Sequence, residues 1–102
     1  MLSKKNYRII GEPFLSNVRQ MMYCITLANN VFVKDSQSVK KRVELQLEAR
    51  KYIIMLQVDI QLMMKLAPDQ KTLMSGSKLL KLVDDLKAKN AGWMKYTLQD
   101  YM

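Results

Sequence analysis

KDSQSVKKRVELQLEARKYIIMLQVDIQLMMKL, residues 34–66, runs 33 residues without a Gly or Pro. Its first half, to Lys51, is charged and polar; its second half, Tyr52 to Leu66, is almost wholly apolar. Gly and Pro interrupt helices more than any other residues, so their absence predicts one long helix. Its near end is solvated and its far end buried. Val39, Val43, Gln46, Ala49, Ile53, Leu56, Ile60, Met63 and Ala67 recur at helical spacing and form one stripe. Leu47, Ile54, Val58 and Leu62 form a second, and Leu45, Tyr52 and Met55 begin a third. A helix apolar on most sides must be covered on most sides. One neighbouring helix cannot do this, so either a bundle of four helices or self-association is implied.

Upstream, residues 1–12 form a basic lead-in carrying Lys4, Lys5 and Arg8, broken at Gly11. Pro13 suits a first helical turn, where its missing N–H costs nothing. Phe14, Val18, Met21, Met22, Ile25, Ala28 and Phe32 then recur at helical spacing, which predicts a helix over about 13–32. Asp35 or Ser36 can cap the long helix by accepting a backbone N–H. The short connection makes these two helices antiparallel. Downstream, Pro68 disfavours helix at Ala67, and Asp69 is a second N-cap candidate. Leu79, Leu82, Val83, Leu86, Asn90 and Trp93 define a third arm over 70–100. Ser75-Gly76-Ser77 either breaks that arm in two or is a weak spot inside one helix. The sequence thus predicts a single all-α domain over 1–102, an antiparallel up-and-down helical bundle. It has three long arms, or four helices if the last is split.

Composition narrows the function. Hydrophobic residues make up 49%, which argues against disorder, and 17 Lys+Arg against 9 Asp+Glu give +8. A surplus of that size on a small body attracts polyanions, so nucleic acid or an acidic protein surface is the expected partner class. The plainer reading is that the lysines only keep the domain soluble. No apolar run approaches the ~20 residues of a spanning helix, and the first residues lack the apolar core of a signal peptide. No membrane is expected, and a cytoplasmic setting is. The single Cys24 lies among Met22, Tyr23 and Ile25 and reads as a buried structural thiol.

The chain contains no His, which removes the common nucleophilic triads and dyads and the Glu-x-x-His pairs that load metal into helical bundles. One Cys cannot build a zinc site, and three isolated Gly make no phosphate-binding loop. Glu44 and Glu48 stand one turn apart, but Lys40, Lys41 and Lys51 lie three or four residues away, so they read as a salt-bridged solvated face. The expectation is a protein without enzymatic activity, cofactor or metal. What remains is basic surface: Lys40, Lys41, Arg42, Arg50 and Lys51 on the long helix, and Lys78, Lys81 and Lys95 on the third arm, with Lys87 and Lys89 beside them. Point charges neutralise phosphates without precise spacing, so these residues fit backbone contacts to RNA or DNA better than base readout. Tyr52, Trp93 and Tyr96 read as core or interface positions rather than base-stacking platforms.

Leu27-Ala28-Asn29-Asn30-Val31-Phe32, then Val39-x-x-Arg42-x-x-x-Gln46-x-x-Ala49, then Pro68 and Gly92-Trp93-x-Lys95 resemble the small four-helix-bundle proteins of the Avd-like family. These are accessory proteins of diversity-generating retroelements, related in fold to ribosomal-RNA intervening-sequence proteins. The resemblance covers roughly Leu15 to Lys95. Lys41-Arg42 stands where the family shows paired arginines, and Trp93-Met94-Lys95-Tyr96-Thr97 keeps only the Trp and the Lys of its terminal segment. The resemblance implies a non-enzymatic protein that assembles as a ring of five and binds a reverse transcriptase. It also implies that nucleic acid is held on a positive surface, in support of cDNA synthesis. The family's pattern falls here on Lys41, Arg42, Trp93 and Lys95, with Gln46 and Ala49 as packing positions. The other reading is a structural or regulatory helical protein of phage or mobile-element origin, whose basic face meets an acidic protein.

Overall fold

A computed structural model describes residues 11–66 and 69–101. They form three helices: α1 (Glu12–Asn29), α2 (Ser36–Leu66) and α3 (Gln70–Tyr101). No strand occurs among the described residues. The basic lead-in with Lys4, Lys5 and Arg8, and the Ala67-Pro68 pair, lie outside them. Both predicted caps form. Ser38 N–H donates to Asp35 Oδ1 at 2.8 Å while Ser38 Oγ accepts from the N–H of Lys34 and of Asp35, a reciprocal box that fixes the start of α2. Thr72 N–H donates to Asp69 Oδ1 at 2.8 Å and starts α3.

The stripe expected on α2 is the buried one. Val39, Gln46, Ala49, Ile53, Leu56 and Ile60 are all buried. Met21 of α1 and Val83 of α3 close on Ile53, Leu56 and Ile60, with Phe14, Val18, Leu79 and Leu86 packed around them. Burying each large aliphatic side chain contributes roughly 1.5–3 kcal/mol, so this cluster is the chief source of stability. α1 and α3 both run antiparallel to α2: Asn17 near the start of α1 donates to Asp59 near the end of α2, and Gln46 donates to Thr97.

α1 and α3 each pack along α2 and scarcely touch one another. The molecule is an open layer with extents of 50 × 22 × 14 Å. Its Cα radius of gyration is 16.1 Å, against about 13 Å for a rounded domain of this length. Side chains turn about 100° per residue around a helix. Asp59 and Arg42 therefore reach α1, Gln46 and Gln57 reach α3, and Leu47, Ile54, Val58 and Leu62 point away from both. That second stripe stays exposed.

One sequence expectation changes, and one alternative that the sequence left open is decided. α1 ends at Asn29 rather than Phe32; the Asn30 side chain turns back to the Thr26 carbonyl, and Phe32 lies in the connection, 80% exposed. α3 is not split: it runs unbroken through Ser75-Gly76-Ser77, so the described residues form three helices, not four. Gly76 is buried where α3 crosses Met64 of α2, and a Cβ there would lie 2.5 Å from Met64 Cγ. The residue that reads as a break is the one that lets the two helices meet.

Candidate nucleic-acid and partner interface

The basic residues expected on α2 divide by their angular position. Lys40, Lys41, Arg50 and Lys51 are exposed. Lys40 and Lys51 share the outward direction with Leu47 and Val58, while Lys41 and Arg50 flank it on opposite sides. Lys51 Nζ lies 3.2 Å from Glu48 Oε1 and 5.2 Å from the centroid of the Tyr52 ring. The hydrogen bond that Lys51 donates to Glu48, and then the Glu48 charge, raise the Lys51 pKa, so its ammonium stays protonated.

Arg42 stands apart from its neighbours. Its Nε donates to the Ala28 carbonyl at 3.1 Å and its Nη2 to the Val31 carbonyl at 2.6 Å. These acceptors sit at the end of α1 and just past it, where the helix terminus favours a cation, and the Ala28 carbonyl also accepts from the Val31 N–H at 3.2 Å. The guanidinium ties α1 to α2 and is drawn out of the basic surface. Sequence reasoning grouped it with Lys40 and Lys41 because charge type does not reveal direction.

On α3, Lys78, Lys81 and Lys95 are exposed, on the side turned away from the buried line Gly76, Val83, Asn90 and Thr97. They extend over about 25 Å of helix at 1.5 Å per residue. The structure therefore does not gather the eight predicted residues into one patch. It sets Lys40, Lys41, Arg50 and Lys51 along the first half of α2, Lys78, Lys81 and Lys95 along α3, and Arg42 inside the α1–α2 junction. Among the described residues the one ion pair is Lys51–Glu48, so Lys40, Lys41, Arg50, Lys78, Lys81 and Lys95 have no acidic partner there.

Between the first half of α2 and the last half of α3 lies a polar seam, of which the sequence spacing marked Gln46 and Asn90 but not Thr97. Gln46 Nε2 donates to Thr97 Oγ1 at 3.2 Å, Asn90 Nδ2 donates to the Gln46 carbonyl at 3.1 Å, and Thr97 Oγ1 donates to the Trp93 carbonyl. Gln46 and Thr97 are wholly buried, and Gln46 Oε1 and Asn90 Oδ1 have no hydrogen-bond partner among the described residues. The sevenfold spacing of Gly76, Val83, Asn90 and Thr97 was the available signal.

Cys24 is buried at the α1–α2 contact, and desolvation, followed by the charge of Glu48, pushes its thiol pKa up. A thiol held protonated is a poor nucleophile. Among the described residues no group of three or more His, Cys, Asp or Glu could hold a metal ion, and no helix is long and apolar enough to cross a membrane. Comparison of the chain with protein-family models, with curated proteins and with solved structures gives no match.

Proposed function

We propose that this protein is a non-enzymatic, self-associating helical subunit of the cytoplasm that holds RNA or DNA by its phosphates. The observation that carries this reading is the set of exposed cations on α2 and α3 without acidic partners among the described residues. Desolvating an ion pair is costly, whereas an unpaired surface Lys meets a phosphate by releasing a counterion. The cations spread over two helices and follow no groove-reading helix, which favours backbone contact over sequence readout. The reverse transcriptase of a retroelement is the protein partner that the resemblance to the Avd-like family implies. A four-helix arrangement, and the ring of five that goes with it, would require a contribution from beyond the three helices of the described residues.

Fluorescence anisotropy with labelled RNA and DNA, titrated across salt, tests the reading. Affinity should fall steeply with salt, and Lys40→Glu/Lys41→Glu should reduce the logarithmic salt slope by about 1–2 on duplex DNA. Circular dichroism should stay unchanged, since both side chains are exposed. An absence of binding to either nucleic acid at low salt would overturn it and leave the acidic-protein partner as the better account.

A further inference from the structure

The outward face of α2 is apolar where α1 and α3 leave it bare. Leu47, Ile54, Met55, Val58 and Leu62 are 47%, 39%, 39%, 56% and 41% exposed. Their spacing has an internal symmetry. Leu47 lies seven residues before Ile54, and Leu62 lies seven residues after Met55, so the pattern reads the same in both directions about the Ile54–Met55 bond. At about 100° per residue, Leu47 and Ile54 line one edge of the face, Met55 and Leu62 line the other, and Val58 and Lys51 run between them.

A pattern that is unchanged by reversal suits an isologous contact, in which a patch meets its own copy across a two-fold axis. We infer that a second copy of this chain covers this face, its α2 lying antiparallel with the axis between Ile54 and Met55. This rests on the self-association proposed above and specifies its geometry. The register follows. Leu47 meets Leu62 of the second copy, and Ile54 meets Met55 of the second copy. Val58 meets the aliphatic stem of Lys51, whose ammonium is already drawn aside to Glu48 and the Tyr52 ring. The charges at the rim obey the same symmetry. Glu44 and Lys65 are equally far from the axis, at about 16 Å along the helix on either side. Each copy therefore sets Glu44 against Lys65 of the other. Both are exposed, and neither has an ion-pair partner among the described residues. The apolar match and the charge match select the same register independently, which favours a second copy over a nucleic acid or an acidic protein as the occupant.

The test is charge exchange at the rim, read by sedimentation equilibrium of the full chain, with circular dichroism to confirm folding. The wild type should form a dimer. Glu44→Lys and Lys65→Glu should each weaken it about three- to thirtyfold, because the axis makes each substitution count twice. The double variant should restore wild-type affinity. General charge repulsion predicts otherwise, since E44K raises the net positive charge and K65E lowers it; opposite effects of the two would overturn the inference. Assembly into a ring of five that neither single exchange weakens would overturn this geometry but keep self-association. A monomer at every concentration would overturn both.

Discussion

Replacing Gly76 by Ala should destabilise this protein, although Ala is the better helix former. Within a helix Ala is favoured over Gly by about 1 kcal/mol. The added methyl at position 76 would lie 2.5 Å from Met64 Cγ and 2.6 Å from its Sδ. Contacts that short force Met64 from its rotamer or push α3 away from α2, and overpacking of this kind costs roughly 1–3 kcal/mol. The net expectation is a loss of up to about 2 kcal/mol once the propensity gain is subtracted. Gly92 is the internal control. It is exposed in the same helix, and nothing lies within 4 Å of its added Cβ. Gly92→Ala should therefore show the propensity gain alone, about 0.5–1 kcal/mol. Urea denaturation of the two variants should move the midpoints in opposite directions. Truncating Met64 to Ala should turn Gly76→Ala into a stabilising change, and the cycle of four proteins isolates that coupling. If Gly76→Ala stabilises the parent as Gly92→Ala does, the close crossing at Met64 is wrong.

Three further outcomes follow from other contacts. Arg42→Ala removes two charge-assisted bonds to the Ala28 and Val31 carbonyls and should cost about 2–3 kcal/mol in thermal melts. Arg42→Lys should recover less than half, because an ammonium cannot present the same fork. Gln46→Met should raise the urea midpoint. It gives up one bond to Thr97, whose hydroxyl keeps the Trp93 carbonyl, and it removes an unpartnered buried acceptor that costs about 1–3 kcal/mol; a fall would show that Oε1 is satisfied in solution. The Asp35 and Asp69 carboxyls are held below their usual range, chiefly by the backbone N–H of Ser38 and of Thr72. A lowered folded pKa stabilises the protein above the unfolded value, about 3.9, and that contribution is lost as pH falls through the folded value. Stability should drop in acid below about pH 4, and Asp35→Ala/Asp69→Ala should show a smaller drop in melts across that range.

The long helix was legible because its signals agree. Asp35 and Asp69 sit where caps are needed, nothing between Ser36 and Leu66 interrupts the helix, and the stripe through Gln46, Ile53 and Ile60 repeats at helical spacing. Sequence also showed that α2 has more apolar faces than one neighbour can cover. It could not show which stripe would be left bare, because Leu47 and Leu62 are as apolar as Leu56. Arg42 was misplaced for a similar reason: a cation looks the same whether it faces water or the carbonyls ending another helix. Gly76 was ambiguous because its two roles, breaking a helix and admitting a neighbour, differ only in what stands opposite. Asn90 fell on the α3 stripe by its spacing, but Thr97 was hidden because polar residues are normally counted outside the core, and only its seven-residue spacing from Asn90 marks it as buried.

A chain of charge +8 resists meeting its own copy, and the antiparallel register shows how that resistance is reduced. A parallel pairing of α2 would set the two clusters from Lys40 to Lys51 side by side. With the axis at Ile54–Met55, the two Lys40 residues stand about 43 Å apart along the helices. That is several times the ~8 Å over which salt screens charge at physiological strength, so their repulsion is largely removed. The same arrangement leaves a basic end at each extreme of the pair, and this has a measurable consequence. At 3.4 Å per base pair, a duplex of about 13 base pairs spans that distance and can engage both ends at once. Affinity for duplex DNA should therefore rise beyond the proportional gain in sites once the length passes about 13 base pairs, through the effective concentration of the second end. Lys65→Glu should diminish the step by weakening the pairing of the copies, and adding Glu44→Lys should restore it. A smooth length dependence in all three proteins would mean that the basic ends act singly and that pairing through α2 does not shape nucleic-acid binding.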